Sequence, residues 1–268
     1  KKIYYKFSRL EIPYLEGRKL NSHVIDWIER NLDRRFFLWM HYMDPHYPYV
    51  PPEEYLSDFS SRKEAFDYNL SVDYNNPSME EVEILISLYE GEVRYTDECV
   101  GEFLNYLGEK NLLDDSLILL MADHDHAFME HRFFGHNPEI LYNEVLHVPL
   151  VMFGLDEKQR VDSFVQLLDV PPTILDVLNI KKPPSFMGQS LFDTIENPEA
   201  IFSESAKPDL INLKYDLSKK VVSCIKGKFK LILNEIKGAK ELYDLENDLK
   251  KEIIFLIVKM KYARSCCR

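Results

Sequence analysis

The sequence predicts an α/β fold: an α/β/α sandwich on a mostly parallel sheet, with a small C-terminal antiparallel subdomain. Three observations lead there. Continuous apolar runs at residues 36–43, 116–121 and 148–154 read as strands buried on both faces, as strands of parallel sheets are. Helical patterns at 24–32, 80–107, 139–145 and 173–178 alternate with them. From Val221 the pattern changes to two runs joined at Lys226-Gly227-Lys228, then Glu241-Leu242-Tyr243-Asp244-Leu245, a hairpin and a further strand. The expected organisation is an α/β portion over 1–205 and a small antiparallel β subdomain with a C-terminal helix over 206–268.

The elements follow in order. Asn21-Ser22 can cap a helix whose apolar face is Val24, Trp27, Ile28 and Leu32. The run 36–43 stops at Asp44-Pro45-His46-Tyr47-Pro48-Tyr49, where the prolines prevent the strand from continuing. Residues 50–79 read as a long loop, a length usually functional inside a domain. The strongest helix, 80–107, carries Val82, Leu85, Tyr89, Val93, Val100, Phe103 and Leu107 on one stripe, and Gly91 and Gly101 inside it point to close packing. Pro171-Pro172 opens the helix 173–178 in the tolerated first-turn place, and Ala200-Ile201-Phe202-Ser203 is a further short strand.

The bulk properties exclude several classes. A chain of 268 residues with 46% hydrophobic content can bury a sizeable core, and 29% charged residues is neither a disordered nor a membrane-spanning composition. The run Ile253-Ile254-Phe255-Leu256-Ile257-Val258 is far below the ~20 residues of a membrane span. No signal-peptide pattern is visible. A net charge of -12 and a pI of about 5.2 oppose nucleic-acid binding. An anionic substrate then needs local positive charge, for which a metal is the obvious source. Cys99, Cys224, Cys266 and Cys267 show no paired spacing, so a reducing, cytoplasmic setting is expected. Asn69-Leu70-Ser71 is a glycosylation sequon, a triplet common by chance. A homo-oligomer stays open.

In open α/β sheets ligands bind outside the carboxyl ends of strands. Two such ends carry chemistry. One is Asp123-His124-Asp125-His126, with Gly135-His136 further on; the other is Asp44-Pro45-His46. Asp with His suits Zn²⁺, Mn²⁺ or a carboxylate-rich site better than a thiolate site. Adjacent strand residues point to opposite faces, so both can ligate only from a turn just past the strand. Asp123 as a loop cap and His124 as a backbone partner is the competing reading. The surrounding Asp125, His126, His131 and His136 favour the site. His46 taken alone reads better as a loop histidine between Pro45 and Pro48, and His41 reads equally as a core histidine. His126, His131 and His147 are assigned to surface or supporting positions.

At these residues the chain resembles the alkaline phosphatase superfamily, specifically its sulfatase branch. The segment from Phe37 to Tyr49 resembles an apolar strand ending in a DPHxPY block. Tyr89, Val93, Asp97 and Gly101 resemble a helix with those residues four apart. Asp114-Asp115-Ser116 through Asp123-His124 resembles a strand ending in Asp-His-Gly, and Glu130-His131, Gly135-His136, Tyr142-Asn143-Glu144 and Val148-Pro149-Leu150 follow in order. Gly188-Gln189-Ser190-Leu191, the Lys226–Lys230 hairpin and Glu241 to Asp248 complete a set covering roughly residues 22–255.

The resemblance implies roles by position. Asp123 and His124 become metal ligands, with Ca²⁺ the first candidate and Mn²⁺ or Zn²⁺ as alternatives. His46 donates to a non-bridging oxygen of the sulfate or phosphate, and His136 protonates or stabilises the leaving alkoxide. The implied activity is metal-dependent hydrolysis of sulfate esters on a small-molecule substrate. A phosphonate or phosphate ester hydrolase of the same scaffold, or a non-catalytic remnant, are the alternatives. Two departures stand out. Asp125 replaces the usual glycine, in a turn where Asp tolerates left-handed backbone. No Cys or Ser is followed by x-Pro-x-Arg. The nucleophile, formylglycine in many members, and two acidic ligands are therefore expected from a part of the domain outside these residues. The chain alone is expected to be inactive.

Overall fold

In the computed structural model the longest element is a helix, α3 (Met79–Glu109), and the sequence explains both its start and its buried face. Ser78 accepts a hydrogen bond from the Glu81 N–H, and Glu81 accepts one from the Ser78 N–H, a reciprocal capping box. Val82, Leu85, Leu88, Tyr95, Cys99 and Leu107 are buried along it, together with one carboxylate, Glu92. Val93, expected on the stripe, is 42% exposed. The structure describes residues 14–155, 163–192, 200–209 and 214–247. The apolar run 253–258, the expected C-terminal helix, Cys266 and Cys267 lie outside them. The chain divides into two units, Lys1–Ile118 and Leu119–Arg268.

In the first unit, α1 (Gly17–Glu29) starts earlier than the Asn21-Ser22 cap predicted. Its first N–H groups are satisfied from elsewhere in the unit. Gly17 N–H donates to Asp44 Oδ1 at 3.0 Å and Arg18 N–H to Tyr95 Oη at 3.0 Å. Asn21 is instead a buried link, donating to Cys99 O and accepting from Tyr42 Oη. Gly17 lies so close to α3 that a Cβ there would meet Cys99 Sγ at 2.8 Å.

Two expectations for this unit are corrected. The segment 50–79 is not one loop: it holds a single 3₁₀ turn, Glu53–Tyr55, and a helix, α2 (Arg62–Ser71), capped by Ser61. The strand expected at 36–43 has no ladder partner among the described residues, and Phe37 and Trp39 are 73% and 69% exposed. A strand is defined by its neighbours' hydrogen bonds, which an apolar run cannot supply by itself. The sequon is also explained. Asn69 is fully buried and its amide nitrogen is committed to two backbone carbonyls, an arrangement incompatible with a glycan.

In the second unit, β1 (Ile118–Met121) pairs with β4 (Leu150–Phe153). Between them a small hairpin joins β2 (Ala127–Phe128) to β3 (Phe134–Gly135), and α4 (Asn143–Leu146) is a single turn where a longer helix was predicted. A helix, α5 (Val170–Val177), follows, opened by its prolines as predicted. Ser190 and Leu191 bond to Asp176 and Thr173 on α5, and Gly188 is forced by the Leu168 carbonyl, 1.8 Å from where a Cβ would sit. The C-terminal sheet is antiparallel, in the order β5 (Ile201–Asp209), β6 (Lys214–Lys226), β7 (Phe229–Asn234), β8 (Ala239–Asp244). Its register places Cys224 opposite Leu231 and Leu231 opposite Leu242. Leu141, Val221, Ile232 and Tyr243 form a core against this sheet. Ala127, Ile140 and Val145 form a second one, and Tyr142 packs on both. No helix among the described residues is long and apolar enough to cross a membrane.

Candidate active site

The second unit assembles three of the predicted site residues through the β2–β3 hairpin. Ala127 faces Gly135 and Phe128 faces Phe134 across the ladder. Met129 and Arg132 take positive φ at its tip, which closes with Arg132 N–H donating to Met129 O at 2.9 Å. One residue beyond the ladder on either strand lie His126 and His136, with ring centroids 5.8 Å apart. His124, two residues before His126, stacks on His136 at 4.2 Å and 24°. The hairpin thus brings His136 back onto the Asp123-His124 turn.

The turn itself is built by its own carboxylates. Asp123 Oδ1 accepts from the His124 N–H at 3.0 Å, and Asp125 Oδ1 from the His126 N–H at 2.8 Å. Asp125 N–H donates to Val145 O at 2.9 Å, which ties the turn to α4. Asp125 is not among the described residues with positive φ, so the family glycine's left-handed freedom is not needed here. His124 Nδ1 lies 3.1 Å from Asp125 O. A carbonyl only accepts, so Nδ1 carries a proton, and in the neutral ring Nε2 then keeps a lone pair, the form a metal ligand requires. Asp123 is exposed, His124 and His136 half-buried. No group of three or more metal-binding side chains exists among the described residues; Asp123 and His124 are of donor types that suit a divalent cation, and they number two.

His46 belongs to the first unit. Its Nδ1 sits 2.7 Å from Tyr47 O, so this nitrogen also carries a proton. Nε2 then bears a hydrogen only in the imidazolium form, which would bring a full positive charge to an anionic ligand. The preceding Asp44 is buried and its carboxyl is raised by that burial, although the Gly17 N–H lowers it.

The remaining histidines separate clearly. His41 and His147 are exposed. His126 packs on Phe128 and Phe134 as well as on His136. His131 stacks on Tyr142 at 3.8 Å with Nε2 3.5 Å from Glu144 Oε2. Tyr142 and Tyr243 both donate to Glu241 Oε2, and buried Lys230 donates to Asn143 Oδ1 at 2.6 Å. Sequence reasoning missed this anchor. It also missed Glu92 and Asn69 in the first unit, whose signal was a polar residue at a core position of a helix.

Residues 15–180 match the family model described as Sulfatase, and residues 129–264 match N-sulphoglucosamine sulphohydrolase, C-terminal. An arylsulfatase of Clostridium perfringens is 26% identical over 278 residues, covering 92% of this chain and 56% of its own length. Arylsulfatase K of Mus musculus is 33% identical over 122 residues, 45% of this chain and 22% of that protein. A solved phosphonate monoester hydrolase from Silicibacter pomeroyi superposes with a TM-score of 0.71 at 19% identity, covering 95% of this chain and 59% of that one, which shows the α/β fold. The chain spans little more than half the length of these full-coverage relatives. It belongs to the sulfatase family.

Proposed function

We propose that this chain supplies the metal-binding and leaving-group side of a metal-dependent sulfate ester hydrolase. The observation that supports the reading is the His124–His136 stack, which brings together the two imidazoles to which the metal-ligand and leaving-group roles are assigned. Asp123 and His124 would hold a divalent cation, Ca²⁺ first, whose charge would stabilise oxygens that gain negative charge as the sulfuryl group transfers. His136 would give a proton to the departing alkoxide. His46, as imidazolium, would donate Nε2–H to a sulfuryl oxygen. The nucleophile and further acidic ligands would come from sequence outside these 268 residues, since no Cys or Ser here is followed by x-Pro-x-Arg.

A sulfated saccharide is the substrate class we favour. One structural neighbour is described in complex with its substrate D-glucosamine-2-N,6-O-disulfate, at a TM-score of 0.56. A phosphonate ester is the second reading, supported by the phosphonate monoester hydrolase neighbour. The test is a ligand series read by histidine ring resonances with Ca²⁺ present. Glucosamine 6-sulfate is expected to shift His46 and His136, and phenylphosphonate to shift them less. The reverse ranking would replace the sulfate reading with the phosphonate one. Measurable hydrolysis of 4-nitrophenyl sulfate by this chain alone, lost in His136→Ala, would overturn the placement of the nucleophile elsewhere.

A further inference from the structure

We propose that Asn69 and Glu92 are positioning residues for His46, an inference that gains catalytic meaning only if His46 has the role given above. The segment Asp44-Pro45-His46-Tyr47-Pro48-Tyr49-Val50-Pro51-Pro52 contains four prolines, which have no N–H to offer a ladder. No strand pairs with it among the described residues. Tyr49 and Val50 are nevertheless buried, and their backbone groups must find partners.

Side chains from two helices take the place of neighbouring strands. From α2, Asn69 Nδ2 donates to Tyr49 O at 2.9 Å while Asn69 Oδ1 accepts from the Tyr49 N–H at 3.0 Å. One amide thus pairs with both polar groups of one residue. From α3, Glu92 Oε1 accepts from the Val50 N–H at 2.7 Å. Arg62 donates to Val50 O from Nε at 3.2 Å and from Nη2 at 3.0 Å. Asn69 is 0% exposed and Glu92 2%. A carboxyl and an amide at buried helical positions cost desolvation that leucine would not. Their hydrogen bonds to the loop are what they add.

The path to His46 is short. His46 Nδ1–H is held by Tyr47 O. The Tyr47 ring packs edge-on against Tyr49 at 6.0 Å and Tyr74 at 4.9 Å. Tyr74 Oη and Tyr47 Oη both donate to the Asn69 carbonyl, at 2.9 and 3.5 Å. Both hydroxyls reach the main-chain oxygen of Asn69, and the Asn69 side-chain amide holds Tyr49, the residue on which the Tyr47 ring packs.

The test uses the full chain labelled with ¹⁵N at histidine rings and backbone amides. In Asn69→Ala, exchange of the Tyr49 and Val50 amides is expected to rise about 100-fold, and His46 to lose its Nδ1–H signature toward tautomer averaging. Glu92→Leu, which fills the space without a hydrogen bond, is expected to free the Val50 amide and shift His46. Glu92→Gln, which keeps an oxygen for Val50, is expected to restore both. Asn69→Asp, which keeps the acceptor and loses both donors, serves if the alanine variant does not fold. Folded Asn69 and Glu92→Leu variants with the wild-type His46 ring spectrum would overturn the proposal. These spectra need no substrate. If they change as expected while sulfated ligands leave His46 unmoved, the sulfatase role fails and the positioning stands.

Discussion

The imidazoles of His124 and His136 stack 4.2 Å apart, twelve residues distant in sequence, because a hairpin with a two-residue ladder returns one onto the other. A change in the electronics of one ring will therefore be sensed by the other. Titrating the chain with Ca²⁺ or Mn²⁺ is expected to shift His124 and His136 together, leave exposed His147 unmoved, and reverse on chelation. With Asp123 and His124 as the proposed donors among the described residues, the affinity should be weak, about millimolar. Asp123→Asn should weaken it further by about tenfold. Cation-independent spectra would remove the metal-ligand assignment.

The buried Glu92 makes a separate prediction about pH. Burial pushes its carboxyl up to about 8, with the Val50 N–H opposing and Asp44 adding to the shift. Arg62 lowers it, Glu16 raises it, and half-buried Tyr14 faces the same group. The native chain thus holds a proton that the unfolded chain has released. Stability from this group is fully present below the ordinary glutamate range and is lost as pH rises toward about 8. The slope for one extra bound proton approaches about 1.4 kcal/mol per pH unit. Glu92→Gln should flatten the decline in urea midpoint between pH 5 and pH 8, leaving the smaller part due to Asp44. An unchanged slope would show that Glu92 is ionised in the native state.

These carboxyls also show where the sequence is readable and where it is not. Helix α3 is legible because its apolar period and its Ser78–Glu81 box are both local signals. The C-terminal hairpin is legible for the same reason, through alternation and Gly227. Helix α2 is not, because its buried face is Ala65, Phe66 and Asn69, one polar residue in three. The run 36–43 announces burial but not its partner, so Phe37 and Trp39 stand exposed where a strand was expected. At the site, Asp123, His124 and His136 are visible as a motif, whereas their stacking depends on the hairpin's register. Asn69 reads as a sequon inside a loop and Glu92 passes unmarked on its helix, because what they bond to lies 20 and 42 residues away.

Gly91 and Gly101, two of the three glycines inside α3, should respond in opposite directions to one added methyl. Both pointed to close packing in the sequence, but the structure separates them. A Cβ on Gly91 would meet the Tyr55 carbonyl at 2.7 Å and Pro51 Cγ at 2.9 Å, whereas a Cβ on Gly101 meets nothing within 4 Å. Gly101→Ala should therefore stabilise the chain by about 0.5–1 kcal/mol through helix propensity. Gly91→Ala gains the same propensity but must displace a backbone carbonyl, and should lose about 1–3 kcal/mol net. Urea unfolding of the two variants side by side checks the sign, and equal stabilisation would refute the close contact at Gly91.

The anchor of the β2–β3 hairpin can be divided by two substitutions at Tyr142. Its hydroxyl shares Glu241 Oε2 with Tyr243, at 3.0 and 2.5 Å, and its ring stacks on His131 and packs on both cores of the second unit. Tyr142→Phe removes one donor from an oxygen that keeps another, so the cost should be about 1 kcal/mol. Tyr142→Ala removes the ring that links Ile140 and Val145 to Leu141 and Ile232, and should cost about 3–5 kcal/mol. The site should feel only the second change. Val145 accepts the Asp125 N–H, so loosening the core around Val145 releases the turn that presents His124 to His136. The His124 and His136 ring resonances should keep their wild-type positions in Tyr142→Phe and broaden or move in Tyr142→Ala at temperatures where the variant is still folded. Unperturbed rings in a folded Tyr142→Ala variant would show that the hairpin holds the pair without help from the C-terminal sheet.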